Sequence, residues 1–228
     1  MRYVQAMFTN RLKPYGTTIF SEMTRLANEH GAINLAQGFP DFEGPPEVLA
    51  AAERALRSGR NQYARSQGLP ELCEAVARQR SRLHGLTYDP MREVVVFSGA
   101  TEGIASTLLG LVEPGDEVLL IEPFYDSYPV MSELAGATVR HHTLKAPDFR
   151  IEKAAFEASL TPKTRFVVLN TPHNPTGRAF TREELMVVAE ACITRGIIAI
   201  TDEVYEHLTY DGRPHLALAA LPGMRERT

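Results

Sequence analysis

The chain has 228 residues, 44% of them hydrophobic and 23% charged, with a net charge of −4 at pH 7. This composition fits a soluble globular protein with one large domain and part of a second. No apolar stretch approaches the ~20 residues of a membrane span, and basic residues scattered among acids leave no footprint for nucleic acid. Cys73 and Cys192 match no metal or redox spacing and read as reduced thiols of a cytoplasmic protein.

The first twenty residues carry three basic and no acidic residues but lack a secretory apolar core, so they read as a leader segment of a cytoplasmic protein. From there, short apolar runs alternate with helix-length amphipathic runs. Helices are expected over residues 20–29, 46–58, 69–84, 102–111, 127–134, 151–159 and 182–195. Strands are expected over 93–97, 117–121, 137–142, 164–169 and 197–201. Runs such as VVVF, EVLLI, RFVVL and IIAI are solidly apolar rather than alternating. That pattern implies strands covered on both faces, hence a mainly parallel sheet wrapped by helices. Thr181 followed by Glu184 reads as a capping box, and Gly115 and Gly136 mark turns just ahead of strands.

In open parallel sheets, ligands bind beyond the carboxyl ends of the strands, so the residues following each strand are the ones to inspect. After VVVF comes SGATEG (98–103), small residues leading into a helix whose N-terminus suits a phosphate. After EVLLI comes EPFYDSY, which places Tyr125 where a ring can stack on a flat heterocycle. After RFVVL comes NTPHNPTG, in which Asn170 and Asn174 offer amides between the fixed φ angles of Pro172 and Pro175. After IIAI comes TDEVY, with Asp202 emerging from an apolar strand and Tyr205 three residues on. A carboxylate there calls for a cation or several donors. Each element alone has a structural alternative: a packing turn, a rim aromatic, an ordinary Asn-Pro turn, a loop-bracing aspartate. Together they describe a pocket for a phosphorylated heteroaromatic with a ring cation and a polar substituent, the chemistry of pyridoxal 5′-phosphate (PLP).

The stretches TTIFSEM, INLAQGFPDFEGP, NQYARSQG, SGATEG, EPFYDSY, LNTPHNPTG and TDEVYEHLTYDG resemble, in order and spacing, the fold-type I class I/II aminotransferases. The resemblance is to the branch of kynurenine–glutamine transaminases and methionine aminotransferases. It implies an α/β fold, a three-layer PLP-transferase large domain over residues 46–228, with an N-terminal arm and small-domain segment over 1–45. It also implies that the Ala100 and Thr101 amides hold the phosphate, that Tyr125 stacks on the ring, and that Asn174, helped by Tyr205, bonds the ring's phenolic oxygen. Asp202 would pair with the ring nitrogen. Gly38, Asn174 and Phe20 would meet the substrate, and Tyr63 would reach the phosphate of a neighbouring subunit in a homodimer.

The expected function is amino transfer between an L-amino acid and a 2-oxo acid. A PLP-dependent carbon–sulfur β-lyase and a non-catalytic PLP-binding fragment are the alternatives. The family's Schiff-base lysine lies in an S-x-x-K loop some thirty residues after D-E-V-Y. The four lysines here, Lys13, Lys145, Lys153 and Lys163, stand in other contexts. The chain therefore reads as an N-terminal portion, inactive by itself.

Overall fold

The computed structural model describes residues 9–38 and 40–228, so part of the leader segment lies outside the described residues. The chain gathers into two compact units, residues 13–66 in one and residues 67–228 with 9–12 in the other. The smaller unit contains α1 (Ile19–His30) and α2 (Pro46–Arg57). Thr18 caps α1 by accepting from the Ser21 N–H, and Gly31, at φ 60°, ends it in the left-handed conformation that glycine adopts without strain.

The larger unit starts with α3 (Pro70–His84) and α4 (Ala100–Leu111). A regular alternation follows: β1 (Glu117–Glu122), α5 (Ser127–Ala135), β2 (Thr138–Thr143), α6 (Lys153–Ser159), β3 (Thr164–Asn170), α7 (Arg182–Arg195) and β4 (Ile198–Asp202). Two short 3₁₀ turns, Leu218–Ala220 and Arg225–Arg227, come last. The strands form one parallel sheet in the order β2-β1-β3-β4. The solidly apolar strands are buried on both faces. Val118, Leu120, Phe166, Val168 and Ile200 pack with Ile104 and Leu108 of α4 and Tyr128 and Met131 of α5. Leu119, Ile121, Val167, Leu169 and Ala199 pack on the other face with Phe156 of α6 and Leu185, Val188 and Cys192 of α7. The result is the expected α/β/α sandwich. Burial of each such side chain contributes about 1.5–3 kcal/mol against the entropy of ordering. Edge strand β2, with its polar sequence TVRHHT, is largely exposed.

The capping box forms as expected. Thr181 accepts from the Glu184 N–H, and the Glu184 carboxylate accepts from the Thr181 N–H. The same carboxylate, buried, also takes the Ile151 N–H at 3.1 Å and the Arg178 guanidinium at 2.8 Å, joining three segments.

One expected strand does not form. Residues 93–97 run without regular structure, although the Val96 N–H donates to the Gln67 carbonyl at 2.9 Å. Val94 is buried against Cys73 and Ala77, whereas Val95, Val96 and Phe97 are exposed. A strand needs a neighbour to complete its ladder, and among the described residues none flanks this segment. Element boundaries shift slightly elsewhere. The helix expected from 102 starts at Ala100, and that expected from 151 starts at Lys153. Cys73 and Cys192 are free and buried, and burial pushes the Cys192 thiol up to about 12.

Candidate active site

The strand order places a topological switch between β1 and β3: from β1 the chain leads out to β2 on one side, then crosses back to β3 on the other. The crevice above such a point is where open α/β sheets hold ligands. Three of the segments singled out in the sequence open there: residues 123–126 after β1, 171–178 after β3, and 203–205 after β4.

Asp202 ends β4, in register with Asn170 at the end of β3. Its Oδ2 accepts the Tyr128 hydroxyl at 2.7 Å and its Oδ1 accepts the Val204 N–H at 3.1 Å. Burial and the Asp202 charge both push the Tyr128 hydroxyl up, so it stays a proton donor. Tyr125 packs edge-on to Tyr128, ring centroids 5.8 Å apart, and Tyr205 stands on the turn that follows Asp202. Tyr125, Tyr128, Asp202 and Tyr205 thus form one cluster. Tyr128 has no place in the sequence reading. Its signal was its position three residues beyond Tyr125, where the turn into α5, closed by Tyr128 N–H to the Tyr125 carbonyl, brings the two rings together.

Asn170 braces the neighbouring loop. Its Nδ2 donates to the Asp202 carbonyl at 2.9 Å, and its Oδ1 accepts the Asn174 N–H at 2.6 Å. The side-chain amide of Asn174 has no partner among the described residues and is half-buried. His173 anchors the loop from below. Its ring is buried, bonds Thr176 Oγ1 at 2.7 Å and faces the carbonyls of Ile121 and Pro123, and its burial pulls its pKa down to about 4. The loop closes on itself through His173 N–H to the Arg178 carbonyl and Gly177 N–H to the His173 carbonyl. These bonds make NTPHNPTG a rigid platform.

Residues 112–116 return the chain from α4 into β1, so α4 runs antiparallel to the strand and its N-terminus faces the carboxyl ends. Ala100 and Thr101 occupy its first turn, exposed, and no side chain caps them. Gly99 enters with φ 91°, a conformation open to glycine. The Glu102 carboxylate takes the Ser98 N–H at 2.5 Å, which leaves the Ala100 and Thr101 amides available to an anion. This donor set fits PLP: free amides for a phosphate, an aromatic ring, an amide donor and an oriented carboxylate.

Phe20, half-buried, Gly38 and Tyr63, both exposed, belong to the smaller unit. The three lysines of the larger unit lie away from this cluster. Lys153 pairs with Glu190 at 2.7 Å, Lys163 precedes β3 at the opposite end of the sheet from Asp202, Lys145 follows edge strand β2, and Lys13 is in the smaller unit.

The fold and this cluster define a PLP-type transferase large domain. The chain matches the family model Aminotransferase class I and II over residues 30–227 and belongs to that family. It is 49% identical to a protein of Mycobacterium tuberculosis named probable N-succinyldiaminopimelate aminotransferase DapC, the match covering 97% of this chain and 56% of that one. It is 40% identical to the methionine aminotransferase of Escherichia coli (96% and 56%) and 38% identical to human kynurenine–oxoglutarate transaminase 3 (97% and 52%). The solved N-succinyldiaminopimelate aminotransferase of M. tuberculosis superposes with a TM-score of 0.93 at 50% identity, covering 96% of this chain and 58% of that one. The chain therefore spans little more than half the length of the relatives it matches. No helix among the described residues is long and apolar enough to cross a membrane.

Proposed function

We propose that the protein is the PLP-binding part of a cytoplasmic aminotransferase that moves an amino group between an L-amino acid and a 2-oxo acid. The observation that carries this reading is the held carboxylate of Asp202 at the end of β4, beside Tyr125 and the Asn174 platform. When bound, PLP supplies an electron-withdrawing ring that stabilises charge on the substrate's α-carbon. The residues of this chain bind and orient it. The Ala100 and Thr101 amides take the phosphate, Tyr125 covers the ring face, and Asn174 with Tyr205 donates to the ring's oxygen. Asp202 keeps a proton on the ring nitrogen, and the Tyr128 hydroxyl fixes the carboxylate for that task.

Gly38, Asn174 and Phe20 are the proposed substrate contacts. Tyr63, whose side chain stands fully exposed, supports a homodimer in which it reaches the partner's phosphate. None of the three lysines in the larger unit is placed beside Asp202 by these contacts, and residues 1–228 alone are proposed to bind the cofactor without turnover.

Two substrate classes have support. Phe20 and Tyr125, with the methionine and kynurenine relatives, favour bulky apolar or sulfur-containing amino acids. The 49% match favours a succinylated diamino acid. The test is to purify the product of the complete reading frame with PLP and assay N-succinyldiaminopimelate, methionine, glutamine, phenylalanine, kynurenine and aspartate against 2-oxoglutarate. Exchange with one of the first five is the expected result. Strict preference for aspartate overturns the substrate assignment, pyruvate and ammonia in place of exchange point to a β-lyase, and a protein that retains no PLP overturns the whole reading.

A further inference from the structure

The turn carrying Tyr205 is held mainly by side chains. Between Glu203 and His207 its backbone closes only through Glu206 N–H to the Glu203 carbonyl at 2.9 Å, followed by Leu208 N–H to the Tyr205 carbonyl at 2.8 Å. The acidic residues flanking this turn point instead into α3, more than a hundred residues away in sequence. Arg80 donates through Nη2 to Glu203 Oε2 at 2.5 Å and through Nη1 to Glu206 Oε2 at 2.7 Å. His84 Nε2 meets the same Glu206 oxygen at 2.9 Å, and Gln79 Nε2 donates to the other at 3.2 Å. His215 Nε2 lies 3.5 Å from Glu203 Oε2 and packs edge-on to His84.

These groups are nearly out of water: the side chains of Arg80, Glu203 and Glu206 are 20%, 10% and 12% exposed. Two carboxylates this close and this buried repel each other unless a cation lies between them. The Glu203, Glu206 and His215 ligand atoms fall within 4.8 Å of one another, a spacing a metal ion could use. The guanidinium of Arg80 already fills that role, and its planar fork is the shape that bridges two carboxylates.

Position in the chain gives the cluster its meaning. Glu203 directly follows Asp202, and Glu206 directly follows Tyr205. We infer that Arg80 is a positioning residue: by bridging Glu203 and Glu206 it holds Asp202 and Tyr205 in register with the bound cofactor ring. This deepens the proposed function and rests on it, since both residues are taken there as cofactor contacts. Arg80 touches neither cofactor nor substrate in this role. It sets where two contacting side chains stand, and misplacement of about 1 Å is enough to matter at such a site.

The experiment uses the product of the complete reading frame, purified without and with PLP, as parent, Arg80→Met, Arg80→Lys and Glu203→Gln. Three quantities are read: the melting temperature of the cofactor-free protein, the PLP dissociation constant, and the absorption spectrum of bound PLP across pH. Arg80→Met is expected to weaken PLP binding about tenfold or more and to move the pH dependence of the spectrum. Arg80→Lys should recover the melting temperature but only part of the affinity, because a point charge cannot bridge both carboxylates.

An Arg80→Met protein that folds and matches the parent in affinity and spectrum overturns the inference. Full recovery of both by lysine overturns the bridging role. Should Arg80→Met fail to fold, the isosteric Glu203→Gln decides: weakened binding with a shifted spectrum supports the inference, and parental values overturn it. A parent that binds no PLP overturns the proposed function and this role together, an outcome distinct from a parent and variant that bind equally.

Discussion

The Tyr128 hydroxyl, on the first turn of α5, donates to Asp202 Oδ2 at the end of β4 over 2.7 Å. This bond crosses the sheet from the helix after β1 to the far edge strand, and it orients the carboxylate proposed to meet the cofactor's ring nitrogen. Tyr128→Phe is expected to lower stability by about 1 kcal/mol, the net worth of one such bond, and to weaken PLP retention. Asp202→Ala should keep the fold and slow the amino-donor half-reaction by about 10²–10³-fold, the range for a well-placed electrostatic group. Denaturant melts and single-turnover rates on the complete protein check both. Near-parental turnover in Asp202→Ala would remove it from the site.

The local rules were legible in the sequence because each depends on near neighbours. The solid apolar runs gave the parallel sheet, Thr181 and Glu184 gave the start of α7, and the segments after the strands put Tyr125, Asn174 and Asp202 at the carboxyl end of the sheet. What escaped depends on partners distant in the chain. Residues 93–97 have strand composition, yet a strand is defined by a neighbour, and the apolar pattern carries no record of one. Tyr128 and Arg80 carry no local motif that marks them in the sequence. Only the fold brings Asp202 to the first and Glu203 and Glu206 to the second.

Stability should fall as pH drops from about 6.5 to 4, with His173 a main cause. Its folded pKa is about 4, below the value of about 6.5 for a free histidine, so the unfolded chain takes up the proton first. The contribution is complete above pH 6.5 and is lost progressively toward pH 4, up to about 3 kcal/mol. His142, also lowered by burial, acts with the same sign. Melting temperatures between pH 7.5 and 4 should show the decline, and His173→Gln should flatten it. An equally steep profile in that variant would assign the effect to other groups.

Glu184 serves the Thr181 N–H, the Ile151 N–H and Arg178 with one buried carboxylate. Glu184→Ala removes a cap and leaves two further donors, one of them charged, without an acceptor. A loss of about 3–5 kcal/mol is expected. Glu184→Gln, which keeps one acceptor oxygen, should lose markedly less. Urea unfolding of the three proteins at one pH measures the difference.

Gly68 sits at φ +111°, and a Cβ there would lie 2.5 Å from Val96 Cγ2. Gly68→Ala therefore meets both backbone strain and a clash, together about 2 kcal/mol. Val96→Gly in the same chain removes both Cγ2 and the Cβ that would stand 2.8 Å away, so it should recover the clash but not the strain, and the two substitutions should couple favourably in a double-mutant cycle. Simple additivity would show that Val96 moves aside at no cost.

Residues 1–228 by themselves should hold PLP weakly and carry out no amino exchange above that of free PLP. The Ala100 and Thr101 amides, Tyr125, Asn174 and Asp202 are all present, so the proposed binding contacts are all supplied by this chain. Turnover further requires an amine that bonds the cofactor and moves a proton at the substrate's α-carbon. Lys153 is held by Glu190, Lys163 opens β3 at the wrong end of the sheet, and Lys145 follows the strand furthest from β4. The edge of β4, which has no partner strand among the described residues, and the exposed Val95, Val96 and Phe97 should also make this chain associate with itself as concentration rises. Size-exclusion chromatography over a concentration series tests the association. For the chemistry, PLP is added, the mixture is reduced with borohydride, and peptide mapping locates any trapped cofactor. Exchange above the free-PLP rate that disappears when one of the four lysines is changed to alanine would show that this lysine reaches the site, and would overturn the expectation of an inactive chain.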